Sequence, residues 1–366
     1  MNETGAQLPD VVAQPCGATG IGSLPGSNAD EVTRMVAGEL PEFPHLVELP
    51  DRGPGADMVG RTMSLLAGLA PDLAVETTPA GWRFADAPGR EMRRAASWIS
   101  EDCDAAEHHY RDAPVMKTQL CGPWTLAAAV EMRNGHKAIR DPGAYRDIAA
   151  ALADAVSQHV ADIQRRLPGV AVVVQIDEPS LPSVLAGGVT TVSGIATYRS
   201  VDVAVASGHL EMSIKAATAL GASTWIHCCA PSPPVDVILR AGASGISCDL
   251  ALLSAETVNE VGAAVDEGTT LAMGVVPGAA EVSAGAASPV RHWGESSAQR
   301  VLERLQRWGF GVEEVCDRLV LTPTCGLAGA SPVWARVAYA SLREAGRLIR
   351  DDAGIPDSVT SAHPQE

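Results

Sequence analysis

From about residue 16 onward, short apolar runs that end on glycine, proline or an acidic residue alternate with longer alanine-rich stretches whose apolar positions recur at helical spacing. Runs of four to eight apolar residues bounded by chain breakers read as buried strands, and 3.6-residue spacing reads as amphipathic helix. The pattern predicts strands at 18–24, 45–49, 115–121, 170–176, 222–228, 244–249, 270–276 and 318–324, with helices such as 198–219, 254–266 and 331–349. Strands that alternate with helices form parallel β/α units, and eight such units close a single (β/α)8 TIM barrel of the α/β class.

Three stretches break the rhythm. Segment 72–86 holds two strand-like pieces around Pro79, Ala80 and Gly81, which predicts an inserted hairpin. Residues 277–295, rich in Gly, Ala and Ser, predict a mobile loop after the seventh strand, on the face where barrels place their chemistry. Residues 1–15 and 351–366 carry no periodicity and are expected to be loose termini around a barrel spanning 16–350.

Composition narrows the function classes. Hydrophobic residues are 46% of the 366 and aromatics only 4%, so the core must be built from aliphatic side chains. A formal charge of -17 excludes nucleic acid as the expected partner, because phosphate binding requires a basic face. No apolar stretch reaches membrane-spanning length, and the start MNETGAQLPD lacks the basic flank of a signal peptide, so a cytoplasmic location is expected. The eight cysteines are then read as thiols rather than a disulfide framework, with Cys16, Cys103, Cys121 and Cys316 as ordinary packing residues.

Reactive groups of a barrel sit at the C-terminal ends of its strands, and the unusual residues gather there. Gly22 and Ser23 end the first strand, Glu48 the second, Asp177 and Glu178 the fourth, His227, Cys228 and Cys229 the fifth, Cys248 and Asp249 the sixth, and Cys325 the eighth. On an extended chain His227 and Cys229 point the same way and Cys228 the other. Cys325, far off in sequence but in the same ring, can add a third donor. One imidazole nitrogen with two thiolate sulfurs is a donor set that prefers zinc. For a fourth ligand the sixth strand offers Asp249 and, on the opposite face, Cys248. A zinc ion with such electron-rich ligands is poorly suited to activating water. It is better at keeping an incoming thiol as a nucleophilic thiolate, which points to alkyl transfer to sulfur.

The order of short motifs carries a resemblance. IGSLP at 21–25, DMV at 57–59, CGPWT at 121–125, QIDEP at 175–179, HCC at 227–229, ISCD at 246–249 and TCGL at 324–327 together resemble the C-terminal catalytic barrel of cobalamin-independent methionine synthase. The resemblance implies His227, Cys229 and Cys325 as zinc ligands, with Asp249 standing where the family has a glutamate. It also implies that Ile21, Gly22, Ser23, Glu48 and Asp177 hold the amino-acid end of homocysteine, the carboxylates taking the ammonium group.

The sequence departs from that family in places that bear on the methyl donor. Two-barrel members carry an N-terminal barrel that no segment here supplies. A tryptophan expected after CGPWT is Ala129, a glutamate expected six residues past Asp177 is Ser183, and GVVPGAAEVSAG after the seventh strand lacks the proton-donating histidine, with His292 further on. Trp82, Trp124 and Trp225 are candidates to line a donor cleft but are expected in the core. These departures direct the expectation to methylcobalamin or a corrinoid protein rather than folate triglutamate as donor. Another small thiol as acceptor, or a non-enzymatic zinc- or corrinoid-binding barrel, are the other readings the sequence allows.

Overall fold

The computed structural model describes residues 14–281 and 288–356. Most of the expected loose termini, 1–13 and 357–366, and residues 282–287 of the expected loop lie outside the described residues.

The described residues form nine strands: β1 Gly17–Ala18, β2 Val75–Thr78, β3 Gly81–Phe84, β4 Val115–Cys121, β5 Ala171–Asp177, β6 Ser223–His227, β7 Gly245–Asp249, β8 Thr270–Val276 and β9 Leu319–Pro323. Seven make one sheet in the order β1-β9-β8-β7-β6-β5-β4, and every pairing in it is parallel. Long apolar runs at 115–121, 170–176 and 270–276 thus become buried strands within a residue of their expected bounds, because both their faces are covered.

The expected second strand is the exception. Residues 45–49 form no ladder, only single bridges from His45 to Lys117 and from Ser23 to Glu48. Leu46 N–H donates to the Lys117 carbonyl and Glu48 N–H to the Gly22 carbonyl, so the segment still occupies the gap between β4 and the first strand. Pro44 and Pro50 flank it, and a proline has no N–H to extend a ladder. The first strand is likewise shorter than 18–24, regular only over Gly17–Ala18.

The inner faces of the strands sort by height. At the bottom Phe43, Val115, Val173, Trp225, Ala272 and Val320 pack as a separate apolar plug. Two residues further along β4 and β5 come Lys117 and Gln175, then Gln119 and Asp177, all buried. A larger aliphatic core lies outside the sheet, beneath the helices. The barrel is therefore filled, dry at its base and polar toward the C-terminal mouth.

The hairpin at 72–86 is present as antiparallel β2 and β3. It is docked by the Trp82 indole, whose Nε1–H donates to Asp57 at 3.1 Å, while the same carboxylate caps helix Met58–Leu69 through the Val59 and Gly60 N–H groups. Helix Pro289–Trp308 replaces much of the expected loop, its start fixed by Pro289 in the first turn. His292 lies in that turn, edge-on to Trp293 at 5.7 Å between ring centroids. The last helix runs Pro332–Asp352, into the segment expected to be loose. Among the described residues no helix is long and apolar enough to cross a membrane.

Candidate metal centre

Strand β6 ends at His227, and the chain continues extended so that Cys229 returns to the same side while Cys228 is buried in the opposite direction. From the far edge of the ring, β9 delivers Cys325. Thr324 N–H donates to the Val276 carbonyl and Leu327 N–H to the Ser23 carbonyl, which turns the chain inward between them. Gly326 is required at that turn: a Cβ there would stand 2.0 Å from the Ser23 hydroxyl oxygen.

The ligand atoms of His227, Cys229 and Cys325 all lie within 4.8 Å of one another, and the two sulfurs are 3.5 Å apart. The three grade from buried through half-buried to exposed, so the group faces the mouth of the barrel. Nδ1 of His227 is held by the Ser247 hydroxyl at 2.9 Å, whereas buried Nε2 has no hydrogen-bond partner of good geometry among the described residues. Hydrogen bonding to Cys229 and then to His227 pulls the Cys325 thiol down to about 4. The Cys229 thiol is pushed up, first by the hydrogen bond to Cys325 and then by burial. A cation between the two sulfurs would satisfy both of them and also the orphaned nitrogen. The residues fit a zinc ion.

Asp249 and Cys248 stand outside this group. The Asp249 carboxylate accepts from Ala251 N–H at 2.8 Å and lines a small cavity of about 170 Å³ with Gly274, Arg300 and Thr324. Burial, with Cys325 adding, raises its pKa, and Arg300 opposes, so it sits within electrostatic reach of Cys325. Cys248 is buried among aliphatic side chains with its thiol pushed up to about 12 by burial. Cys16 and Cys103 are buried and likewise raised to about 12, Cys121 well above its usual value, as packing thiols are.

Below the metal ligands lies the cluster expected to hold an amino acid. Glu48 and Asp177 are both buried, and burial raises the pKa of each, that of Asp177 to about 7. Gln119 donates to Glu48 at 3.1 Å and Gln175 to Asp177 at 2.7 Å. Asp177 stands beside His227 in the register of β5 and β6. Gly22 lets the first strand pass Gln119, since a Cβ would meet that side chain at 2.7 Å. Ser23, half-buried, pairs with Glu48 on one side and the Cys325 turn on the other. The structure therefore brings Ile21, Gly22, Ser23, Glu48 and Asp177 to one end of the barrel, under the metal ligands.

Several site residues escaped the sequence. Ser247, Gln119, Gln175 and Lys117 are polar groups on inward positions of otherwise apolar strands, and that interruption was the available signal. Glu178, by contrast, faces away from the mouth and accepts from Trp124 N–H, Thr125 N–H and the Thr125 hydroxyl, holding the start of helix Pro123–Ala129. Trp124 and Trp225 are fully buried, and Trp82 is spent on the hairpin, so these three rings belong to the scaffold.

Comparisons with known proteins bear on the fold and on the family. A B12-independent methionine synthase from Shewanella sp. W3-18-1, solved in complex with selenomethionine, superposes with a TM-score of 0.58 at 12% identity over 92% of this chain and 98% of that one. A 2,3-dimethylmalate lyase (14% identity, 96% and 88% of the two chains) and a Cellulomonas fimi endo-beta-1,4-mannanase double mutant (14%, 90% and 72%) give TM-scores of 0.37 and 0.44. No curated protein matches the chain. The family model described as cobalamin-independent synthase, catalytic domain, matches residues 16–347. The chain belongs to the cobalamin-independent synthase family, as its catalytic domain.

Proposed function

We propose that this protein holds one zinc ion on His227, Cys229 and Cys325 and transfers a methyl group to the thiol of homocysteine, giving methionine. The observation that carries the reading is the convergence of one imidazole and two sulfurs within 4.8 Å, beside the buried polar groups Glu48, Asp177, Gln119 and Gln175. Family membership supports a methionine synthase-like activity.

Zinc at this site would supply Lewis acidity that keeps a bound thiol deprotonated near neutral pH. The protein's own groups do the rest. Ser247 fixes the His227 ring so that Nε2 stays directed at the sulfurs. Asp177 and Glu48 take the substrate ammonium, and the Ile21–Ser23 turn takes its carboxylate, so the reacting sulfur is presented in one orientation. Asp249 is the proposed fourth ligand because its half-buried carboxylate ends β7 beside the sulfurs and interacts electrostatically with Cys325.

The methylcorrinoid donor expected from the sequence gains no support from a family described as cobalamin-independent. Donor identity is decided by experiment: purified zinc-loaded protein and homocysteine, given methylcobalamin in one arm and methylated folate triglutamate in the other, with methionine quantified. Methionine is expected in at least one arm. Its absence from both, with zinc bound, sinks the methyltransferase reading and leaves a metal-binding barrel.

A further inference from the structure

Lys117 is a barrel-interior residue whose presence the metal site does not explain. It is fully buried on β4, directly above the apolar plug. Burying an ammonium group costs several kcal/mol unless its surroundings return that energy. Here Nζ donates to the Ile21 carbonyl at 2.7 Å and to the Gln119 side-chain oxygen at 3.4 Å. Glu48 and Asp177 act on it as opposite charges, and Glu48 also faces the Arg61 guanidinium at 3.9 Å. Gln175 reaches the same Ile21 carbonyl at 3.0 Å and also binds Asp177. One cation therefore touches the turn, and through its charge the two acids, that the proposed pocket for the amino-acid end consists of.

We infer that Lys117 is a positioning residue for the amino-acid end of the substrate, holding the Ile21–Ser23 turn in place through the Ile21 carbonyl and fixing Gln119, which in turn holds Glu48. This rests on the homocysteine reading above. Without the lysine, the Ile21 carbonyl loses its charged donor and keeps only the Gln175 amide, and Glu48 retains Arg61, while nothing touching the metal ligands is removed. The effect should then fall on the amino-acid end of a ligand and spare its sulfur.

Calorimetric binding of L-homocysteine and of 1-propanethiol to the zinc-loaded protein separates the two ends, because propanethiol carries the sulfur without the amino acid. In K117M, homocysteine affinity is expected to fall at least about tenfold and propanethiol affinity to change less than about twofold, with zinc content unchanged. K117Q, which keeps a donor toward Ile21 but no charge, is expected to lie between. Equal weakening of both thiols, loss of zinc, or failure of both variants to fold would show a scaffold lysine and overturn the inference, as would unchanged homocysteine binding. If the wild-type protein itself shows no preference for homocysteine over propanethiol, the pocket reading fails first, and Lys117 loses its role with it.

Discussion

The hydroxyl of Ser247 on β7 stands 2.9 Å from Nδ1 of His227 on β6, and this single contact decides which ring nitrogen faces the sulfurs of Cys229 and Cys325. A metal-binding imidazole works best when its other nitrogen is held, since the ring then pays no orientational entropy on binding. Replacing Ser247 with alanine should therefore weaken zinc binding by roughly 10- to 100-fold, measured by competition with a chromophoric chelator. Unchanged affinity would show that packing alone fixes the ring.

Cys325 is the ligand furthest from its partners in sequence and the most exposed of the three. Cys325→Ser should leave the barrel folded, because the side chain contributes no buried core, and should lower zinc content clearly below one ion per chain. Cys103→Ala, on the buried face of helix Arg90–His109, should keep its zinc. Metal analysis of both proteins after dialysis tests the pair, and a Cys325→Ser protein with full zinc removes the proposed centre.

Strand β7 presents two candidates for the fourth ligand, with opposite surroundings. Asp249 is half-buried and within the electrostatic reach of Cys325, whereas Cys248 is enclosed by aliphatic side chains. Asp249→Asn should weaken zinc binding, and Cys248→Ala should not, although the latter leaves a small cavity that costs some stability. The reverse order of metal affinities would exchange their roles.

His159 is buried against the Thr118 hydroxyl at 2.8 Å, and burial, followed by Arg61, lowers its pKa to about 4 from an ordinary 6.5. Between pH 6.5 and 4 the unfolded chain binds this proton and the folded one does not, so the stability this histidine contributes is present above that range and is lost as pH falls through it. His159→Gln cannot titrate. The stability gap between wild type and variant should narrow by about 1.4 kcal/mol per pH unit as pH falls through that range, in denaturant titrations of the two proteins. A gap independent of pH would mean the imidazole protonates without penalty.

Glu178 sits next to Asp177 in sequence yet serves the scaffold, with three donors converging on its carboxylate. Glu178→Ala should orphan those donors and destabilise the fold by about 3 kcal/mol or more. Zinc content of the molecules that remain folded should be unchanged. Loss of zinc without loss of stability would move Glu178 into the site.

How much of this was legible in the chain follows from what each feature depends on. Buried strands such as Val115–Cys121 and Thr270–Val276 were visible because an apolar run covered on both faces leaves its mark in consecutive residues. The two-residue spacing of His227 and Cys229 fixed their common direction, since side chains alternate along extended backbone. The inserted hairpin announced itself through Pro79, Ala80 and Gly81. Residues 45–49 misled, because a short apolar segment reads the same whether it pairs through a ladder or through single bridges between flanking prolines. Residues 289–295 misled because they were read together with the Gly-, Ala- and Ser-rich stretch before them, whereas PVRHWGE begins a helix that packs Trp293 against Trp334.

What the sequence determined by itself is the set of donors and the period that places them at strand ends. Only the closed ring decided that β6 and β9 bring their sulfurs to 3.5 Å, that Ser247 holds His227 while Cys248 turns away, and that a buried lysine underlies the two acids. Alternation along a strand is a local property of the backbone. Which strand ends meet across a barrel depends on register and closure, and these are set by packing between residues a hundred positions apart.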